Sequence, residues 1–196
     1  AIAGAAITGF ITGLYVVATP VIAWIVLRQK IDSYTWGCVI TATVGLALLS
    51  LHGWSVGYGE ALVLVSAIAF GAHIVALGRW SNGLDAYAMT VVQLTGCALL
   101  TGTLAFAEGY ELPAGRSGWP VVFFTAIFAT AIAFIVQTWS QAHMSATKVA
   151  VILTMEVVFA AIFAILFGGE RLTLQSAVGG VLVVVAMYLI VLKEQK

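Results

Sequence analysis

The sequence predicts an all-α fold, a polytopic bundle of membrane helices, and three observations support this. Of the 196 residues, 62% are hydrophobic and only 8% are charged, whereas a soluble domain carries about 25% charged residues. The apolar residues form seven long stretches, separated by short connections that hold most of the charge. Each stretch has roughly the 20 residues that a helix needs to cross a bilayer core.

Seven spans follow in chain order, and tryptophans near several span edges suit the headgroup region of a bilayer. The predicted spans are 4–27, 34–52, 61–79, 86–107, 119–141, 147–167 and 173–192. The net charge is zero and the basic residues are scattered, so the sequence does not predict the basic surface that nucleic-acid-binding proteins carry. The sequence predicts no metal site and no cofactor.

Basic residues predict the orientation of the spans. If the spans alternate, one side carries Arg28, Lys30, Arg79, Lys148, Lys193 and Lys196, and the other carries Arg116 and Arg171. Connections rich in Lys and Arg stay in the cytoplasm. We therefore expect a cytoplasmic C-terminus.

Two pairs of spans resemble each other. Residues 4–52 and 147–192, at an offset of about 141–142 residues, each hold a helix rich in small residues, a polar turn and a second helix with an early glycine. The charge bias places the two turns on opposite sides, so the copies are inverted, as in carriers that alternate access around a midplane site. Three spans precede the second copy and none the first, so we expect about three further N-terminal spans.

A single acidic residue, Glu156, lies near the middle of a span. Placing a charged side chain at the bilayer centre costs roughly 2.5–3.5 kcal/mol, and such residues commonly contact a substrate, an ion or a proton. At this depth the carboxyl group is expected to be neutral, paired or hydrated. The alternative is a structural carboxyl group that hydrogen-bonds neighbouring helices.

Polar and aromatic residues in other spans are further candidates for a binding site. Steps of four, three and four predict that one helix face carries Thr130, Phe134, Gln137 and Gln141. His73, Gln93 and Tyr15 lie inside three other spans. For each of them the alternative is structural, either packing or an interhelical hydrogen bond of about 0.6 kcal/mol.

The chain resembles the drug/metabolite transporter superfamily, and specifically its EamA-like members. The resemblance rests on Ser145 to Lys148, on Glu156, on the turn Gly169-Glu170-Arg171-Leu172 and on Gly179, and in the first pair of spans on Ala6 to Phe10, Thr19 to Val21 and Gly37. It implies an inverted five-plus-five helix repeat of which seven helices are present. Residues 1–55 would be the last two helices of the first repeat, and residues 56–196 the complete second repeat. Members often carry Glu-Pro where this chain has Glu156-Val157, so the kink expected from a proline is missing here.

The resemblance and the repeat together predict a carrier that moves a small organic metabolite, amino acid-like or drug-like, by alternating access, with export favoured. Its expected partners are the lipid bilayer, the small-molecule substrate, a coupling proton and, as an open alternative, a second copy in a homodimer. The expected location is a bacterial inner (plasma) membrane. Two other classes stay open: a non-transporting membrane assembly subunit and, less favoured, an intramembrane enzyme, which would need paired catalytic groups.

Overall fold

The computed structural model describes residues 5–50, 58–109, 118–168 and 173–193, and its regular elements there are all helices. They are α1 (Ala5–Gly13), α2 (Tyr15–Leu27), α3 (Ser33–Ser50), α4 (Tyr58–Trp80), α5 (Ala86–Glu108), α6 (Gly118–Phe124), a π-helix (Thr125–Ile132), α7 (Ala133–His143), α8 (Ala146–Leu153), α9 (Met155–Gly168) and α10 (Leu174–Leu192). The turn 169–172, Arg116 and Lys196 lie outside the described residues.

The helices coincide with the predicted spans to within a few residues, and the all-α polytopic bundle is confirmed. Within the described residues, five stretches are long and apolar enough to cross a membrane: Ala61–Trp80, Ala86–Ala107, Gly118–His143, Ala146–Phe163 and Leu174–Leu192. Two others, Ile11–Leu27 and Ser33–Leu48, are apolar but shorter. Helices suit this environment because they satisfy their backbone hydrogen bonds internally.

The chain forms two compact units, one of residues 1–76 with 145–196 and the other of residues 77–144. The first unit holds a core of buried apolar side chains from α2, α3, α4, α8, α9 and α10. In this unit α3 and α10 approach each other closely at Gly45, where a Cβ atom would lie 2.7 Å from the carbonyl oxygen of Gly179. Small residues allow such backbone approach between membrane helices.

Two of the predicted spans are interrupted helices. The first breaks at Leu14, whose N–H donates to the carbonyl of Ile11 three residues earlier. The sixth breaks at Thr154, whose N–H and hydroxyl both donate to the carbonyl of Val151, at 3.2 and 2.6 Å. A Thr hydroxyl can compete in this way with the regular helical pattern. The missing proline after Glu156 therefore does not leave this span continuous, and α2 in turn continues through Pro20.

A polar cluster joins the end of α10 to the start of α3. The ammonium group of Lys193 forms an ion pair with Asp32 and lies 5.4 Å from the ring centre of Tyr34. Thr35 donates to Asp32 through its hydroxyl at 2.8 Å and its N–H at 3.3 Å. Lys193 and then Thr35 hold the pKa of Asp32 well below its usual range. The Tyr34 hydroxyl donates to the carbonyl of Leu189 at 2.9 Å, which adds a second link between the two helices.

Candidate functional site

The first candidate cluster lies in the first unit and centres on Tyr15. Tyr15 is the first residue of α2, directly after the break at Leu14, and its side chain is only 2% exposed. Its ring packs edge-on against Phe70 of α4, with ring centres 5.0 Å apart, and Phe70 stacks on His73 at 6.2 Å. The Tyr15 hydroxyl is buried without a hydrogen-bond partner among the described residues. Leaving a buried polar group unpaired costs roughly 1–3 kcal/mol, so this hydroxyl is a strong candidate to bind a ligand.

Glu156 belongs to the same cluster. Its chain neighbours Met155 and Val157 pack against the same hydrophobic core that contains Tyr15. Glu156 is the second residue of α9, directly after the break at Thr154, and a negative side chain is favourable in the first turn of a helix. The Glu156 side chain is exposed. The cluster thus combines an exposed acid with a buried phenol hydroxyl.

Helix breaks position both of these groups. Short stretches of tighter helix often mark functional hinges, and membrane carriers commonly build their binding sites from discontinuous helices. Leu14 and Thr154 each precede one of the chemical groups of the cluster, Tyr15 and Glu156. The hydroxyl of Thr154 bonds back to Val151 and is therefore engaged within its own turn.

A second candidate cluster lies in the other unit, between α5 and α7. The amide of Gln93 donates to the carbonyl of Met89 and to the hydroxyl oxygen of Thr138, both at 3.2 Å. The hydroxyl of Thr90 lies 3.4 Å from the same Thr138 oxygen and donates to the carbonyl of Ala86 at 2.8 Å. These bonds fix the two helices against each other through polar side chains, the structural role that the sequence left open for Gln93.

Gln137 and Gln141 extend the second cluster along α7 and are both buried. Among the described residues, the amide nitrogen of Gln137 has no hydrogen-bond partner, and neither polar atom of the Gln141 side chain has one. Buried carboxamides usually find partners. These two side chains therefore offer donors and an acceptor for a polar solute.

The predicted polar face is only partly a regular α-helical stripe. Phe134, Gln137 and Gln141 lie in α7, but Thr130 lies in the π-helix Thr125–Ile132, whose wider turns change its register. Thr130 and Phe134 are both half-buried. A π-helical segment inside a membrane helix frequently accompanies a functional site.

Sequence reasoning placed Phe70 on the helix face of His73 but missed two participants, Thr90 and Thr138. Phe70 links Tyr15 to His73, and Thr138 receives the Gln93 hydrogen bond. The sequence did contain a signal for the second cluster, because Thr90 and Gln93 are three residues apart and therefore lie on one helix face. Among the candidates, the structure places Tyr15 in the core against which the neighbours of Glu156 pack, and it links Tyr15 to His73 through Phe70. It also places Gln137 next to Thr138, the partner of Gln93.

The apolar helices and the interrupted spans define a polytopic α-helical membrane protein, and sequence comparison supplies the family. The EamA-like transporter family matches residues 57–192. The chain belongs to this family and is an integral membrane protein that contacts the lipid bilayer.

Two relatives extend the comparison. An uncharacterized transporter of Archaeoglobus fulgidus is 30% identical over 186 residues, which cover 94% of this chain and 60% of the relative. The chain thus spans about three fifths of the length of this curated relative. A protein of known crystal structure superposes with a TM-score of 0.81 at 16% identity, over 98% of this chain and 69% of the other. That likeness supports the fold alone.

Proposed function

We propose that the chain is part of a carrier that moves a small organic metabolite across the membrane by alternating access, with export as its direction. The observation that carries the proposal is an exposed acid, Glu156, just after a helix break, whose chain neighbours pack in the same core as the buried, unpartnered Tyr15 hydroxyl. Polar groups of this kind inside membrane helices mark solute or ion pathways. Glu156 binds a cationic group of the solute or exchanges a coupling proton.

Alternating access is supported by the inverted repeat that the sequence predicts. The breaks at Leu14 and Thr154 fall in the two spans that the repeat pairs, nearly at its offset of about 141–142 residues. The family match over 57–192 supports residues 56–196 as one repeat, and we propose that residues 1–55 are the last two helices of another. Rocking of one repeat against the other then opens the site to each side in turn.

The second cluster supplies further hydrogen-bonding groups to this proposal. Gln137 and Gln141 each present unpartnered amide atoms, which suit the carbonyl or amine groups of an amino acid-like or drug-like solute. Thr130, Phe134 and Gln93 in this unit, and His73 in the other, are each proposed to contact the solute or to hold neighbouring helices together. A homodimer is compatible with this proposal and is not required by it.

Two competing classes have less support. A non-transporting assembly subunit does not require a buried hydroxyl left without a partner beside an acid. The sequence contains one motif typical of an enzyme, because residues 53–57 read Gly-Trp-Ser-Val-Gly. This matches the Gly-x-Ser-x-Gly elbow, which requires a strand before the serine. Those residues lie outside the described ranges, but the element before them is the helix α3.

Solute exchange in proteoliposomes tests the proposal. Vesicles that contain the full-length protein and are preloaded with a mixture of small metabolites should accumulate an external labelled member of that mixture by exchange. Protein-free vesicles should not accumulate it. An assembly subunit would leave the two preparations identical, and that result would reject the carrier.

We further propose that the C-terminus is cytoplasmic, because six of the eight basic residues fall on that side of the predicted spans. A reporter that is active only in the cytoplasm should then be active when it is fused after Lys196. A reporter that is active only outside the cell should be active when it is inserted near Gly115. Finding both reporters on the same side would contradict the span assignment and the inverted repeat that depends on it.

A further inference from the structure

We propose that a cavity beside the turn between α2 and α3 binds the headgroup of an anionic phospholipid through its phosphate group. The cavity has a volume of about 460 Å³ and is lined by Trp24, Lys30, Ile31 and Trp36. A volume of this size is typical of ligand-binding pockets in proteins. The proposal concerns a lipid of the bilayer and not the transported solute, so it does not depend on the carrier function.

The cavity lies at a membrane surface. The turn 28–32 joins the end of α2, at Leu27, to the start of α3, at Ser33, and both helices are apolar. A polar turn between two apolar helices belongs at the level of the lipid headgroups, whichever side of the membrane it faces. Trp24 and Trp36 suit this level, because the amphipathic indole ring favours the membrane–water interface. Each indole N–H can donate a hydrogen bond to a phosphate or ester oxygen.

The charges around the turn favour an anion. Asp32 forms an ion pair with Lys193, so its negative charge is balanced within the protein. Arg28 and Lys30 are both exposed and add two positive charges at the same turn. A lysine ammonium group binds phosphate as a compact point charge, and basic side chains at a membrane surface attract anionic lipids. A zwitterionic headgroup has no net charge and gains much less from this excess.

The backbone of the turn brings Lys30 to the same cavity as Trp24. Arg28 has φ 53° and ψ 28°, and its N–H donates to the carbonyl of Ala23. This left-handed conformation ends α2 and turns the chain, so that Lys30 and Ile31 line the cavity together with Trp24 from the last turn of α2. The residue that takes this conformation after a helix is usually Gly or Asn. Here it is an arginine, which adds a basic side chain to the turn.

Apolar surface on the same two helices favours a lipid over a soluble phosphate compound. Ile25 and Val26 follow Trp24 on α2 and are exposed, and Ile40 on α3 is exposed as well. A lipid held by its headgroup at Lys30 can lay its acyl chains along such apolar side chains. A soluble phosphate compound would make the contact with Lys30 alone.

The experiment compares phosphatidylglycerol with phosphatidylcholine, both with dioleoyl chains. Binding of each lipid to the full-length protein in detergent is measured by native mass spectrometry over a series of lipid concentrations. We expect phosphatidylglycerol to bind about tenfold or more tightly, because each basic side chain near a membrane surface contributes roughly a fivefold preference for an anionic lipid. Lys30→Gln should lower the affinity for phosphatidylglycerol about fivefold and change that for phosphatidylcholine much less. Trp24→Leu removes one wall of the cavity and should weaken phosphatidylglycerol binding a few-fold.

Arg79→Gln and Trp80→Leu are the matched controls. Arg79 and Trp80 are another exposed basic and aromatic pair at the end of a helix, on the same predicted side as Lys30, but neither lines the cavity. Both substitutions should leave the lipid preference unchanged. If Arg79→Gln reduced it as much as Lys30→Gln does, a general attraction between basic residues and anionic lipids would explain the binding, and the cavity would have no part in it.

Two other results would also overturn the inference: equal affinity of the wild type for both lipids, or wild-type affinity for phosphatidylglycerol in either Lys30→Gln or Trp24→Leu. Lys30 and Trp24 are both exposed, so neither substitution disturbs the core. Glycerophosphate, which carries the phosphate group without acyl chains, separates the two sources of that group. A large molar excess of it should not displace phosphatidylglycerol. Displacement would assign the cavity to a soluble phosphate compound and reject the lipid.

Discussion

Replacing Glu156 with Gln is expected to lower the rate of solute exchange about tenfold or more while the protein is still produced and inserted. Gln keeps the length and shape of the side chain and removes only its charge and its ability to release a proton. Loss of one partner from a close, charged contact typically costs 2–5 kcal/mol. If the carboxyl group exchanges a proton instead of pairing with a cationic solute, the same substitution should flatten the dependence of exchange on pH.

The measurement is counterflow in proteoliposomes over a series of pH values, for the wild type and Glu156→Gln at equal protein content. Asp85→Asn is the matched control. Asp85 caps the first turn of α5 by accepting the N–H of Ala88 at 2.7 Å, and Asn is an equally good capping residue. This change removes an acidic charge elsewhere and should leave exchange unaltered. An unchanged rate and pH profile in Glu156→Gln would make Glu156 a structural residue.

The helical spans could be predicted because the bilayer leaves few alternatives. Lipid cannot hydrogen-bond the backbone, so each apolar stretch of sufficient length must form a helix. Accordingly, α4 ends at Trp80, one residue from the predicted edge at 79, and α5 begins at Ala86, as predicted. Composition and length alone carried this part of the prediction.

The interruptions could not be predicted in the same way. Proline is the usual sequence sign of a kink, yet the chain breaks at Leu14 and Thr154, while Pro20 lies inside α2. At Thr154 the break accompanies a hydrogen bond from the hydroxyl to a carbonyl three residues earlier. Other threonines of the described residues also bond to a carbonyl of their own helix, but without breaking it. Thr19 and Thr43, for example, donate to carbonyls four residues earlier at 2.8 and 2.7 Å.

The candidate site shows the same division between local and tertiary information. Glu156 stands out in the sequence because an acid in an apolar span is rare. The shared core of Tyr15 and the neighbours of Glu156 depends instead on the packing of helices that are distant in sequence, and no local pattern encodes it. Tyr15 was therefore a plausible candidate from sequence alone, but its missing hydrogen-bond partner was visible only in the structure.

Gly45→Ala is expected to destabilise the first unit by about 1–3 kcal/mol, the usual effect of overpacking. The added Cβ would lie 2.7 Å from the Gly179 carbonyl oxygen, 2.9 Å from the Val183 N–H nitrogen and 2.8 Å from a methyl group of that residue. Two of these three atoms belong to the backbone, so no rotamer change can remove the contact, and α3 must move away from α10. Thermal unfolding of the full-length protein in detergent should show a lower melting temperature.

Gly37→Ala provides the comparison that makes this result interpretable. Gly37 lies on the same helix, and a Cβ atom there would meet nothing within 4 Å. Alanine favours a helix over glycine by about 1 kcal/mol at either position, so that contribution cancels between the two variants. We expect Gly37→Ala to be as stable as the wild type or more stable. If Gly45→Ala matched it, α3 and α10 would not pack backbone to backbone at Gly45, and the close crossing that holds the core of this unit together would be wrong.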